Sequence, residues 1–327
     1  MRLILRPLVL LLGLALSGCA TLPDISQSRS PCQLEPGGWC GFLREAAVDA
    51  FPYALASTNA YTGDEDLFEK PGRVLQRVPH IPISEADAKK GFDYQIFNQY
   101  ESGKGAAADR KPVARILAFR GTDMKSLADV FYGTLRGDQI ELALRYFEAE
   151  KARLGSDVPW IVTGHSLGGA LATEVSAANP DVRAYMFNTS PFYRDEVRDN
   201  ALRRTVFNER GEFLRRFARS VEPPAANVFT INCEPRKGGF TKHKVRPLAD
   251  CITWIAAYSS DDAYQIVKAN GIPKPFVECG PEELVHPGPG FRPKTPCIQN
   301  GLRREGKKDK DKGEGKDGVR EETATKK

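Results

Sequence analysis

Gly164-His165-Ser166-Leu167-Gly168 sets a serine between two glycines, and this is the stretch on which chemistry could turn. A serine hydroxyl is a poor nucleophile unless a base can reach it. A sharp strand-to-helix turn lifts the hydroxyl above the sheet edge, and the flanking glycines let the backbone pass close by without a Cβ clash. The helix that follows aims its first free N–H groups and its positive dipole end at the same place, where an oxyanion could settle. A bare G-x-S-x-G arises by chance in about one chain in ten of this length. The specificity therefore comes from the context: the apolar run Trp160-Ile161-Val162-Thr163 before it, the extra Gly169, and the alanine-rich run Ala170-Leu171-Ala172-Thr173-Glu174 after it. A phosphate-cradling turn is the competing reading, but neither G-x-G-x-x-G nor a Walker lysine is present.

The rest of the chain must supply the elements that hold this turn. Residues 41–61 have helical spacing, with Pro52 expected to kink or break the helix. Asp93 to Tyr100 alternates as a strand. Pro112 to Phe119 reads as a second, more buried strand, ending in Arg120-Gly121-Thr122-Asp123. Gln139 to Leu154 is helical and Gly155 stops it. After the nucleophile strand and its helix come strands at Val182–Asn188, Thr205–Asn208 and Ala226–Asn232. Helices are expected from about Gly211 to Arg219 and over most of Val245–Ala269. Strands alternating with helices imply an α/β fold, a mostly parallel sheet covered on both faces.

Three segments resemble the class 3 lipases, a family of the α/β-hydrolase superfamily, over roughly Phe42 to Ala269. They are Ala118-Phe119-Arg120-Gly121-Thr122, the stretch from Val162 to Ala172, and Phe187-Asn188-Thr189-Ser190-Pro191. The resemblance implies an α/β-hydrolase fold and a Ser-acid-His triad in that chain order. Ser166 is then the nucleophile. The backbone N–H of Leu167 is one oxyanion donor, and Thr122 is the second, through its N–H and its hydroxyl. By the same analogy residues 124–136 sit where the family carries its lid.

Four histidines are candidates for the base. His165 is inside the turn and cannot fold back onto its neighbour's hydroxyl, and His80 is expected to lie before the sheet begins. His243 follows the last strand and is the first choice; His286, in a proline-rich segment, is the alternative. The acid should follow the preceding strand. Glu212 is the first choice there, with Glu209 and Glu234 behind it; the chain has Glu where the family usually has aspartate.

The chain opens with two arginines, an apolar run from Leu8 to Leu16, then Ser17-Gly18-Cys19, which reads as a secretory signal peptide over residues 1–18. Leu16-Ser17-Gly18-Cys19 resembles the bacterial lipobox, which implies cleavage before Cys19 and its lipidation. Ala20 after it favours the outer membrane, on the exported side of the inner one. Residues 19–40 are expected as a tether, 41–302 as the hydrolase domain, and 303–327 as a charged tail that does not fold. Without residues 1–18 the chain carries 45 basic and 42 acidic side chains, and the tail alone accounts for that excess. A near-neutral body without a basic aromatic stripe argues against nucleic acid. Six cysteines beyond Cys19 suggest disulfides in an oxidising compartment, and pairing of neighbours is expected: 32–40, 233–251 and 279–297. The absence of any C-x-x-C pair argues against zinc, and no metal or cofactor is expected. The oligomeric state is not legible.

Together these readings predict a lipid-anchored serine hydrolase acting on carboxylic esters of lipids. A phospholipase or lysophospholipase of the same mechanism is one alternative. A non-catalytic envelope protein that retains the fold is the other.

Overall fold

The computed structural model describes residues 32–61, 68–70, 74–101, 111–121, 135–191, 193, 200–215, 223–278 and 288–289, with only the backbone of residues 135 and 136. Cys19, Thr122, His286, Cys279, Cys297, most of the expected lid and the tail lie outside the described residues.

Among the described residues, seven strands form one sheet in the order of the sequence: β1 (Leu75–Val78), β2 (Tyr94–Gln99), β3 (Ala114–Phe119), β4 (Trp160–His165), β5 (Arg183–Phe187), β6 (Arg204–Glu209) and β7 (Asn227–Ile231). The first three pair antiparallel, and β3 to β7 run parallel. Five main helices accompany them: α1 (Gly41–Asn59), α2 (Leu135–Leu154), α3 (Leu167–Ala178), α4 (Val245–Ala256) and α5 (Asp261–Asn270). This is the α/β architecture that the sequence predicts, a mostly parallel sheet with helices on both faces.

The strand order decides where the helices go. The β3–α2–β4 and β4–α3–β5 crossovers both step one strand in the same direction, and right-handed crossovers then put both helices on one face. That face buries Leu117, Phe119, Val162, Met186 and Val206 against α2 and α3. The other face would be left bare, and the two ends of the chain cover it. α1, α4 and α5 pack there on Ile116, Ala118, Ile161, Tyr185, Phe187 and Phe207. The strict alternation along β3 (Ile116 and Ala118 one way, Leu117 and Phe119 the other) is the period-2 pattern of a strand buried on both sides.

Three local expectations are revised. Pro52 does not break α1, which runs through it; the continuous buried run from Ala50 to Asn59 outweighs the lost backbone hydrogen bond. The helix expected from Gly211 begins instead as a turn, with Gly211 at φ 79°. The stretch 245–269 is mostly helical as expected, in two helices separated by a turn at 257–259. The third revision is His80, which follows β1 and so does not precede the sheet. The end of the expected tether also packs on the body: Pro36 to Cys40 are buried, and Trp39 joins the core beneath α1 and α4.

Two disulfides close as expected, Cys32–Cys40 and Cys233–Cys251. The second ties the loop after β7 to α4, and His243 lies inside that closed loop. Among the described residues no helix is long and apolar enough to cross a membrane.

Candidate active site

The carboxyl ends of β3 to β7 lie along one edge of the sheet, where ligands bind in parallel α/β folds. Each contributes its next residues to one place. β4 runs into Ser166 with no spacer, and α3 starts at Leu167. The turn between them is tight enough to force Ser166 to φ 57°, ψ −123°, a conformation that costs a non-glycine residue about 1–3 kcal/mol. Four bonds hold it there. Ser166 N–H donates to the Phe187 carbonyl at 3.1 Å. The Ser166 carbonyl accepts from Ser190 at 3.0 Å and from Gly169 and Ala170 in the first turn of α3.

The two flanking glycines are required by contact. A Cβ on Gly164 would meet the Gly168 backbone, and one on Gly168 would meet the Phe119 carbonyl. The elbow thus sits flush against both α3 and the end of β3.

His243 reaches the site from the loop after β7, directly after a short helix, Gly239–Lys242. Its Nε2 lies 2.9 Å from Ser166 Oγ, and its Nδ1 lies 3.0 Å from Glu212 Oε2. Glu212 stands in the turn after β6, and its Oε2 also accepts from the Leu214 N–H at 2.9 Å. Ser166, His243 and Glu212, three residues named from sequence, therefore form one continuous hydrogen-bonded line. Phe213 packs edge-on to the His243 ring at 4.8 Å and walls it from one side.

Burial sets the electrostatics. It pushes the Glu212 carboxyl up to about 7, against the pull of the Leu214 and Arg215 backbone N–H groups. It pushes the His243 imidazole down to about 3. A neutral His243 beside an ionised Glu212 is the arrangement a general base needs. The carboxylate accepts from Nδ1–H, so the Nε2 lone pair faces the serine hydroxyl.

The sequence leads to an open hydroxyl, whereas Ser166 is 1% exposed. The close approach of the β3 end to the elbow explains part of this cover, since a Cβ on Gly121 would meet Ser166 Cβ and the His165 carbonyl. Leu167 heads α3, where its N–H has no acceptor within the helix.

The other carboxylates do different work. Glu209, buried at the end of β6, accepts from the N–H groups of Cys233 and Glu234 at 3.0 and 3.1 Å and pairs with Lys242 at 3.7 Å. Burial pushes its carboxyl up to about 7. Lys242 Nζ also donates to the Arg210 carbonyl at 2.8 Å. This pair pins the two ends of the β6–β7 edge next to His243. Glu234 enters it through its backbone. His80 lies elsewhere, bonding the Ile81 carbonyl and tilting against Tyr94.

Two contributors are missed by sequence reasoning. Asn188, at φ 43° just after β5, donates from Nδ2 to the carbonyls of Lys242 and His243 and accepts at Oδ1 from the Glu209 N–H. One amide thus braces β6 against the loop that carries His243. The signal was its place at the end of a strand, in a motif already singled out. His165, set aside because it cannot reach Ser166, instead reaches the backbone of His243. Among the described residues no group of His, Cys, Asp and Glu is placed to hold a metal ion.

No protein-family model matches the chain, and no curated protein matches it. Among solved structures, the chain is similar to the lipase of Rhizopus microsporus var. chinensis, with 16% identity over 50% of this chain and 67% of that one and a TM-score of 0.36. It is similar to the Rhizomucor miehei lipase in its propeptide complex, with 13% identity, 62% and 76% coverage and a TM-score of 0.38. It is also similar to a mutant form of MDLA from Penicillium cyclopium, with 14% identity, 62% and 83% coverage and a TM-score of 0.38.

Proposed function

We propose that this chain is a serine hydrolase that cleaves carboxylic esters of lipids, with Ser166 as nucleophile, His243 as general base and Glu212 as the acid that orients it. The supporting observation is the line from Ser166 Oγ to His243 Nε2 at 2.9 Å and from His243 Nδ1 to Glu212 Oε2 at 3.0 Å.

The steps follow from those atoms. Ser166 O–H gives its proton to His243 Nε2 as Oγ bonds to the ester carbon. The carbonyl electron pair moves onto oxygen, and the Leu167 N–H and Thr122 stabilise that oxyanion. The oxyanion collapses, the C–O bond to the alcohol breaks, and His243 returns the proton to the leaving alcohol. Water gives a proton to the same nitrogen and attacks the acyl carbon; the bond to Ser166 Oγ breaks, the carboxylic acid leaves, and His243 returns the proton to Oγ. Glu212 stays ionised throughout and stabilises the transient imidazolium.

The burial of Ser166 bears on the alternative of a non-catalytic shell. A closed resting state and a dead scaffold both hide the hydroxyl, but only the first reacts. A fluorophosphonate probe separates them. Labelling of the wild-type chain that disappears in Ser166→Ala, together with hydrolysis of a lipid ester lost in the same variant, is the expected result. An unlabelled wild type, or a Ser166→Ala variant with full esterase activity, overturns the reading. Phospholipid and lysophospholipid substrates use the same acyl chemistry, and head-group assays decide among them.

The proposal includes export and anchoring through Cys19, supported by the lipobox-like Leu16-Ser17-Gly18-Cys19 and by disulfides that suit an oxidising compartment. Incorporation of labelled palmitate that is lost in Cys19→Ser tests it.

A further inference from the structure

His165 precedes the nucleophile and points away from it. Its Nε2 lies 2.6 Å from the carbonyl oxygen of His243, and its Nδ1 lies 2.7 Å from the Tyr61 hydroxyl. A carbonyl only accepts, so Nε2 carries the hydrogen. Nδ1 is then the acceptor, and the Tyr61 O–H donates to it. Burial and the neighbouring His243 ring push the His165 imidazole well below the usual histidine range, which keeps it neutral. The ring therefore has a single tautomer, set from both sides.

The carbonyl it holds belongs to the residue whose side chain lies 2.9 Å from Ser166 Oγ. Asn188 supports the same carbonyl more loosely, at 3.3 Å. Tyr61 in turn lies under the cation of Arg120, 5.8 Å from its ring centroid, and a Cβ on Gly121 would strike the Tyr61 hydroxyl. The end of β3 thus closes over this chain of bonds.

We infer that His165 is a positioning residue: its Nε2–H, with the tautomer set by Tyr61, fixes the backbone of His243 and so ties the base to the strand that carries the nucleophile. A displacement of β4 then moves Ser166 and His243 together. Without the bond, the His243 carbonyl loses its shortest donor and the loop after β7 can shift relative to the elbow. An error of about 1 Å in such a geometry costs about 100-fold in rate. The inference rests on the proposed catalytic roles of Ser166 and His243.

The two amides provide the test. In His165→Gln the side-chain nitrogen falls near Nε2 and keeps a donor for the His243 carbonyl. In His165→Asn it falls near Nδ1 and faces Tyr61 instead. Both are polar and similar in size, so a purely structural role does not rank them. With a soluble short-chain ester and the full chain, His165→Gln is expected to keep kcat within about fivefold of wild type. His165→Asn is expected to lose about 30- to 100-fold, with KM unchanged and a parallel drop in fluorophosphonate labelling rate. Equal kcat in the two variants, high or low, overturns the inference.

The wild-type protein gives a second measurement that does not depend on any variant folding. Long-range proton–nitrogen correlation of its ¹⁵N-histidine rings should show His165 neutral with the proton on Nε2, and a proton on Nδ1 overturns the inference. Failure of the wild type itself to react with the probe sinks the hydrolase reading instead, so the two failures are distinct.

Discussion

Glu212 Oε2 lies 3.0 Å from His243 Nδ1, with both side chains buried. Burial raises this carboxyl to about 7, so the pair changes state near neutral pH. Below that pH Glu212 takes a proton and no longer holds the hydrogen on Nδ1, and His243 loses the tautomer that accepts from Ser166. We expect kcat/KM to fall as pH drops through about 7. Glu212→Gln should remove that limb and lower kcat by about 10²- to 10⁴-fold. The stability sign is opposite. A carboxyl raised from 4.5 to about 7 on folding contributes stability below about 4.5 and loses it as pH rises to 7. Denaturant titrations of wild type and Glu212→Gln across that window should differ in slope accordingly.

Lys242 and Glu209 form a buried pair beside His243. Lys242→Met leaves the Glu209 carboxylate without its cation at a cost of about 3–5 kcal/mol at pH 8.5. Because Glu209 is raised to about 7, it is protonated in more of the folded protein at pH 6, and the deficit should shrink there. Urea unfolding at the two pH values checks the sign; an equal deficit at both would count against a charged pair.

Asn188 serves three backbone groups with one amide. Asn188→Ala strips a donor from the Lys242 carbonyl and an acceptor from the Glu209 N–H, each worth about 1–3 kcal/mol when left unmade in the interior, while the His243 carbonyl keeps His165. The expected outcome is a loss of stability by thermal melting and a drop in kcat, since the base loop loses its brace.

The Cys233–Cys251 bridge closes a span of 18 residues around His243. Replacing both cysteines by alanine should cost about 3 kcal/mol in stability under the loop-entropy argument. Activity should fall at temperatures where the protein is still folded, because the loop gains freedom. Calorimetry together with ester hydrolysis at 20 °C separates the two effects.

Gly168→Ala drives a methyl into the Phe119 carbonyl. Backbone cannot rotate aside as a side chain can, so about 1–3 kcal/mol of destabilisation is expected, with labelling of Ser166 lost even where the chain folds.

Much of the site could be read from residue order because a strand-turn-helix concentrates its signal in a few adjacent positions. Ser166 is read on that basis; Leu167, His243 and Glu212 come from the resemblance to the class 3 lipases and its Ser-acid-His order, which leaves His286, Glu209 and Glu234 open. What escaped reading was work done by backbone atoms. His165 and Asn188 act on the His243 carbonyl, which carries no identity in a sequence. Glu209 looked equivalent to Glu212 because both follow β6; register decides between them. Glu209 pairs with Ile231 inside the sheet, whereas Glu212 lies past Gly211, where the chain has turned. Pro52 misled for a related reason: propensity is local, and α1 is held by what it covers.

The strands lie side by side in the order in which they are synthesised, each new one adding to the free edge left by the last. A growing chain can therefore lay down its sheet as it emerges. Among the described residues, the face over Ile116, Ile161 and Phe187 has only α1 as a helix against it until residues beyond 245 are made. The half-finished protein thus presents a broad oily slab to whatever is nearby, and needs shelter or speed. His243 arrives in the same stretch of chain, so its contact with Ser166 and the closure of this face come within a few residues of each other.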